Sequence, residues 1–105
     1  MILDKFRSFQ LSVDFHKKCA SSRFPGYLRN QVLRASSSIS LNLGEGSTKP
    51  TARDRLRYYH TALGSLRECQ SALALISHPD PQLVQMADVL GAHLYRLCHP
   101  KLGTE

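Results

Sequence analysis

YLRNQVLRASSSISLNLGEG, residues 27–46, decides the fold of this chain. Within it Leu28, Val32, Ala35, Ile39 and Leu43 recur at alternating steps of four and three, the spacing that stacks side chains on one helical face. Beside this apolar stripe runs a seam of Gln31, Arg34, Ser38, Asn42 and Glu45. A solvent-facing helix usually carries Lys and Glu there, so small hydroxyls and amides next to a core call for a polar partner.

The segment from Arg57 to Glu68 supplies one. If residues 47–52 form a loop and the next helix returns antiparallel, level positions have numbers totalling about 102 by hairpin geometry. Glu45 then comes opposite Arg57 and Arg34 opposite Glu68, while Gly64 and Ser65 approach Ser38. Such a seam, closed to water, would fix the register of the two helices, and removing one member of a buried ion pair costs roughly 3 to 5 kcal/mol.

The remaining sequence completes four helices, at approximately 3–20, 26–43, 52–76 and 81–98. In the first, Asp4 is a candidate cap and Phe6, Phe9, Val13, His16 and Ala20 form the expected inner stripe, leaving Leu11 and Phe15 outside it. Lys17 and Lys18 suit the negative end of that helix. Pro25 in FPG opens the second helix, and Gly44 and Gly46 are expected to end it. Thr51 and Asp54 form a capping-box-like start for the third, whose face is Tyr59, Ala62, Leu63, Leu66, Leu73 and Ile76. Pro79, Asp80 and Pro81 separate it from the fourth, where Leu83, Ala87, Leu90, Leu94 and Leu97 hold a heptad seam widened by Val84, Met86 and Tyr95. Residues 99–105 form a short tail. With one glycine in the first 40 residues, 42% apolar residues and no strand-like alternation, the class is all-α. The economical architecture is an antiparallel up-down-up-down four-helix bundle, one domain over residues 1–105.

Composition narrows the function. No segment is long and apolar enough for a bilayer, and MILDKFRSFQ has no secretory pattern, so a cytoplasmic protein without membrane association is expected. Cys19, Cys69 and Cys98 lack metal-ligand spacing and read as reduced, buried small hydrophobes. His16, His60 and Tyr58 have no evident catalytic partner, and Tyr58 and Tyr59 read as packing residues beside a core stripe. The glycines at 44 and 46 do not match a phosphate loop. No catalytic, cofactor or metal residue is therefore assigned, and the chain is read as a non-enzyme.

The formal charge of +6 comes from 14 Lys and Arg against 8 Asp and Glu. Its densest cluster is Lys49, Arg53, Arg55 and Arg57, with Arg23, Arg29 and Arg67 as candidate extensions. Cations at a helix N-terminus oppose the dipole, which calls for acidic partners such as Glu45 or for an anion from outside. RNA or DNA is that anion in one reading; an ordinary solvated surface is the other.

The pattern QxxRAxxSIxxNxxEG from Gln31 to Gly46, followed by AxGSxxE from Ala62 to Glu68 and joined by the turn at Phe24 and Pro25, resembles a known family. It is the four-helix bundle family encoded in intervening sequences of bacterial 23S ribosomal RNA genes. Similar to that family are the accessory variability determinants of diversity-generating retroelements, basic bundles that form pentameric rings and bind nucleic acid with a reverse transcriptase. The resemblance implies the bundle fold and a homopentamer, with nucleic acid and a reverse transcriptase or other protein as candidate partners, but no reaction. Gly44 stands where the family commonly has Ala, which is expected to fray the helix end. The alternative is a protein–protein scaffold without direct nucleic-acid binding, using Leu11 and Phe15 as exposed contacts.

Overall fold

Each helix of the chain starts or stops at a local signal. The computed structural model describes residues 3 and 6–100. Four helices follow one another: α1 (Arg7–Ser21), α2 (Gly26–Ser47), α3 (Ala52–Ala74) and α4 (Pro81–Cys98). Thr51 caps α3, its hydroxyl accepting from the Asp54 amide at 3.2 Å. Asp80 caps α4, its carboxylate accepting from the Gln82 amide at 2.9 Å, and Pro81 follows as the first helical residue. Asp80 also pairs with Lys18 at 3.6 Å, tying the end of α1 to the start of α4. The candidate cap Asp4 and residues 101–105 of the tail lie outside the described residues.

The helices pack in a ring, α1 on α2, α2 on α3, α3 on α4 and α4 on α1, with the α2–α3 interface the most extensive. This is the antiparallel four-helix bundle expected of the sequence. Phe15, Ile39, Leu43, Leu66, Leu83, Leu90 and Leu94 fill its centre. Burial of each such side chain contributes about 1.5–3 kcal/mol before entropy is counted, which is why a chain of this size holds together.

Several boundaries and faces differ from the expectation. α1 begins at Arg7 rather than residue 3, and α3 ends at Ala74 rather than 76. α2 does not stop at Gly44 or fray there; it continues through both glycines to Ser47, where the Thr48 and Lys49 amides close it by donating to the Glu45 and Gly46 carbonyls. The buried face of α1 is Ser8, Ser12, Phe15 and Cys19. Phe15, expected outside the core, is 0% exposed, Leu11 packs against the core, and Ala20 of the expected stripe faces solvent. The face is rotated because α1 sits between α2 and α4, and Ser12 turns towards α2, where the Ser40 hydroxyl meets it. On α4, Val84 and Tyr95 are exposed rather than widening the seam, while Met86 and Leu97 pack on the core from its edge.

Candidate nucleic-acid interface

Two polar seams set the register of the helices that carry the basic residues. Between α2 and α3, the Ser65 hydroxyl donates to Ser38 Oγ at 3.0 Å, the Cys69 thiol faces the Val32 carbonyl at 3.9 Å, and Arg34 pairs with Glu68. These contacts carry the hairpin register read from the sequence. The Arg34–Glu68 pair is not shielded, however: its side chains are 64% and 42% exposed, so the value for a buried pair does not apply. Asn42 donates to the Ser38 carbonyl and hydroxyl of its own helix, at 2.9 and 3.1 Å, rather than reaching across. Gln31 is exposed at the rim of a shallow cleft shared with Glu68. A Cβ on Gly64 would point into open space, and the hydrogen bond to Ser38 comes from Ser65.

Between α1 and α2 lies a seam that the sequence reading missed. Ser12 and Ser40 share a hydrogen bond of 2.8 Å, and His16 Nδ1 meets Ser36 Oγ at 2.6 Å. The Ser36 hydroxyl also donates to the Leu33 carbonyl of its own helix at 3.3 Å. The signal was present in the spacing: Ser12 and His16, one turn apart on α1, face Ser40 and Ser36, one turn apart on α2. A serine–histidine pair is thereby formed, but Ser36 is fully buried and no substrate could reach its oxygen. Burial likewise pushes the Cys19 thiol up to about 11, against a smaller opposing effect of the Ser36 hydroxyl, and the Cys69 thiol up to about 12. Both stay protonated at neutral pH and are poor nucleophiles.

The basic cluster gathers at the end of the bundle formed by the α2–α3 loop. Glu45, expected to meet Arg57, pairs instead with Lys49 at 2.9 Å, since the extra helical turn to Ser47 brings the loop lysine back over its i−4 neighbour. Glu45 thereby holds the Lys49 ammonium above the usual lysine range. Arg57 is directed to Tyr58, whose ring has the Arg57 guanidinium 5.0 Å and the Lys49 ammonium 5.1 Å from its centroid. Tyr58 is thus a platform for cations, while Tyr59 packs inward against Phe6 with ring centroids 6.1 Å apart. Arg55 donates to the Lys49 carbonyl at 3.0 Å and stabilises the loop, and Arg53 is exposed.

The backbone approach here is close. A Cβ on Gly46 would stand 2.8 Å from a Tyr59 ring carbon and 3.0 Å from Tyr58 Cβ, so glycine lets α2 and α3 converge where the cluster forms.

The three candidate extensions do not join this cluster directly. Arg29 sits at the other end of α2, about 27 Å away at 1.5 Å per residue, where it donates to the Ala20 and Ser22 carbonyls at 3.1 and 3.2 Å. Arg23 lies in the adjoining α1–α2 connection. Arg67 lines a separate cleft between α3 and α4 and bonds Gln70 at 2.7 Å.

Among the described residues, no group of three or more His, Cys, Asp or Glu side chains could hold a metal ion, and no helix is long and apolar enough to cross a membrane. A family model described as 23S rRNA-intervening sequence protein matches residues 5–95. No curated protein and no solved structure matches the chain.

Proposed function

Because the chain belongs to the 23S rRNA-intervening sequence protein family, whose model spans residues 5–95, we propose that it is a non-catalytic, homo-oligomeric accessory protein that binds nucleic acid. The observation that carries this reading is the Tyr58 platform, with Lys49 and Arg57 over its ring and exposed Arg53 close by in sequence. Cations gathered around an aromatic ring at a helix N-terminus match the phosphate and base surfaces of RNA or DNA. Assembly would multiply this modest patch into a multivalent surface. Exposed Leu41 and Leu75, at 71% and 66%, and the open space over Gly64 support contacts between subunits. The resemblance to ring-forming bundles suggests five.

The test is a fluorescence anisotropy titration with RNA and with DNA over a salt series, beside a native mass measurement. Affinity should fall steeply with salt, and Arg53→Gln with Arg57→Gln should lower the slope of log K against log salt by about 1.5. Equal affinity of the double variant and the native protein at low salt would remove the reading. The exposed leucines also favour a second one, a protein–protein scaffold that a reverse transcriptase or another protein would occupy. In that case light scattering shows assembly whether or not RNA is present.

A further inference from the structure

An open cleft of about 390 Å³ runs between α3 and α4, lined by Arg67, Gln70, Asp88, Gly91, Tyr95 and Arg96, with Ala92 on its wall. Its floor depends on Gly91, where a Cβ would stand 3.2 Å from Leu66 Cδ2 and 3.4 Å from Arg67 Nη1. Arg67 enters from α3 and Arg96 from α4. Among the described residues neither guanidinium has a carboxylate within ion-pair distance. The cleft's one acid, Asp88, accepts from Gln70 at 3.4 Å, and Gln70 Oε1 in turn accepts from Arg67. The balance of charge is positive.

At the upper edge of the cleft is an aromatic surface. Tyr95, 52% exposed, stacks on His99 with ring centroids 4.0 Å apart and planes 20° from parallel. His99 is oriented by its Nδ1 contact to the Tyr95 carbonyl at 2.9 Å, and His60 of α3 meets it edge-on at 5.9 Å. His60 also links the cleft to the basic cluster. Arg53, His60 and Arg67 are seven residues apart on α3 and so share one face, a line about 21 Å long. Arginines spaced along a groove beside a stacked pair of rings match the chemistry of an unpaired strand, whose phosphates need cations and whose bases need flat apolar faces. A duplex keeps its bases stacked inside and cannot use the ring pair.

We propose that the α3–α4 cleft binds single-stranded nucleic acid, with Arg67 and Arg96 on its phosphates and one splayed base on the Tyr95–His99 pair. This rests on the nucleic-acid reading of the Tyr58 cluster and adds to it a preference for unpaired strands.

The test measures anisotropy of labelled oligouridylate, oligothymidylate and duplex RNA of equal length. Tyr95→Ala should weaken binding of the unpaired strands by about 5- to 150-fold and leave the duplex unchanged, while Tyr95→Phe keeps the native affinity. A stronger effect on oligouridylate than on oligothymidylate identifies RNA as the ligand, and the reverse identifies DNA. Native affinity in Tyr95→Ala, or the same loss for strand and duplex, overturns the cleft. If Arg53→Gln with Arg57→Gln then still weakens binding, the Tyr58 cluster stands alone. No binding by the native protein to any of the three removes both.

Discussion

Gly44 and Gly46 lie half a turn apart in α2, and alanine at the two positions should shift stability in opposite directions. Both residues are helical, so replacing either by Ala removes a conformational-entropy penalty of about 1 kcal/mol. At Gly44 the new Cβ meets Phe9 Cε1 at 3.8 Å and Leu3 Cδ1 at 3.9 Å, ordinary packing distances. Gly44→Ala should therefore stabilise by about 0.5–1 kcal/mol. At Gly46 the Tyr59 ring at 2.8 Å could tilt away, but the Tyr58 Cβ at 3.0 Å is fixed to the α3 backbone and can move only if the helices part. Overpacking of this kind costs about 1–3 kcal/mol, so Gly46→Ala should destabilise by up to about 2 kcal/mol after the helical gain. Urea unfolding at one protomer concentration measures both. The midpoint should rise for the first variant and fall for the second, with the slope unchanged. Equal midpoints would show that α3 gives way freely, and that the convergence beneath the Tyr58 platform is not set by Gly46.

Two further outcomes follow from the thiols and the exposed ion pair. Cys19 and Cys69 have folded-state pKa values of about 11 and about 12 against an ordinary 9.0, so above pH 9 the folded protein holds protons that the unfolded chain loses. Stability should be complete below about pH 9 and fall as pH rises towards 11 and 12, by roughly 2–3 kcal/mol for Cys19 alone. Urea midpoints at neutral and alkaline pH measure this, and an undiminished slope in Cys19→Ala with Cys69→Ala would exclude the thiols as its cause. For Arg34 and Glu68, exposed as they are, a double-mutant cycle should give a coupling of only about 0.2–1 kcal/mol that shrinks with added salt. A salt-independent coupling near 3 kcal/mol would show the pair excluded from water.

The bundle, its order of helices and the α2–α3 register were legible because they rest on period and on complementary side chains. Leu28 to Leu43 recur at helical spacing, and Ser38, Ser65, Arg34 and Glu68 have no reason to be level unless the helices are antiparallel. The face of α1 was not legible. Its large residues at positions 6, 9 and 13 outweighed Ser8 and Ser12, yet a serine with a hydroxyl partner is as acceptable in a core as a small hydrophobe. A stripe drawn through the large residues alone is thus rotated from the buried face and leaves Phe15 outside. The end of α2 was misjudged for a related reason: glycine marks either a helix stop or a close crossing, and only the position of Tyr58 and Tyr59 decides which. That same turn of helix redirected Glu45 to Lys49, which left Arg57 for Tyr58.

The two kinds of polar residue are kept apart in the bundle. Hydroxyl and thiol contacts that set register lie within the α1–α2 and α2–α3 interfaces, at Ser12, His16, Ser36, Ser38 and Ser65. The α3–α4 interface is held mainly by apolar packing of Leu66 beneath Gly91, with the Gln70–Asp88 contact at its surface. Basic groups gather at the α2–α3 loop and along α3–α4, where Lys49, Arg57, Arg67 and Arg96 take part in none of the register contacts. Charge on that surface can therefore change with little effect on the fold, because removing an exposed arginine leaves no buried partner unsatisfied. Substituting Ser36 does the reverse, since it strands the half-buried imidazole of His16 while leaving the basic surface unaltered. Loss of binding without loss of stability in the arginine variants, and the converse in Ser36→Ala, is what this separation requires.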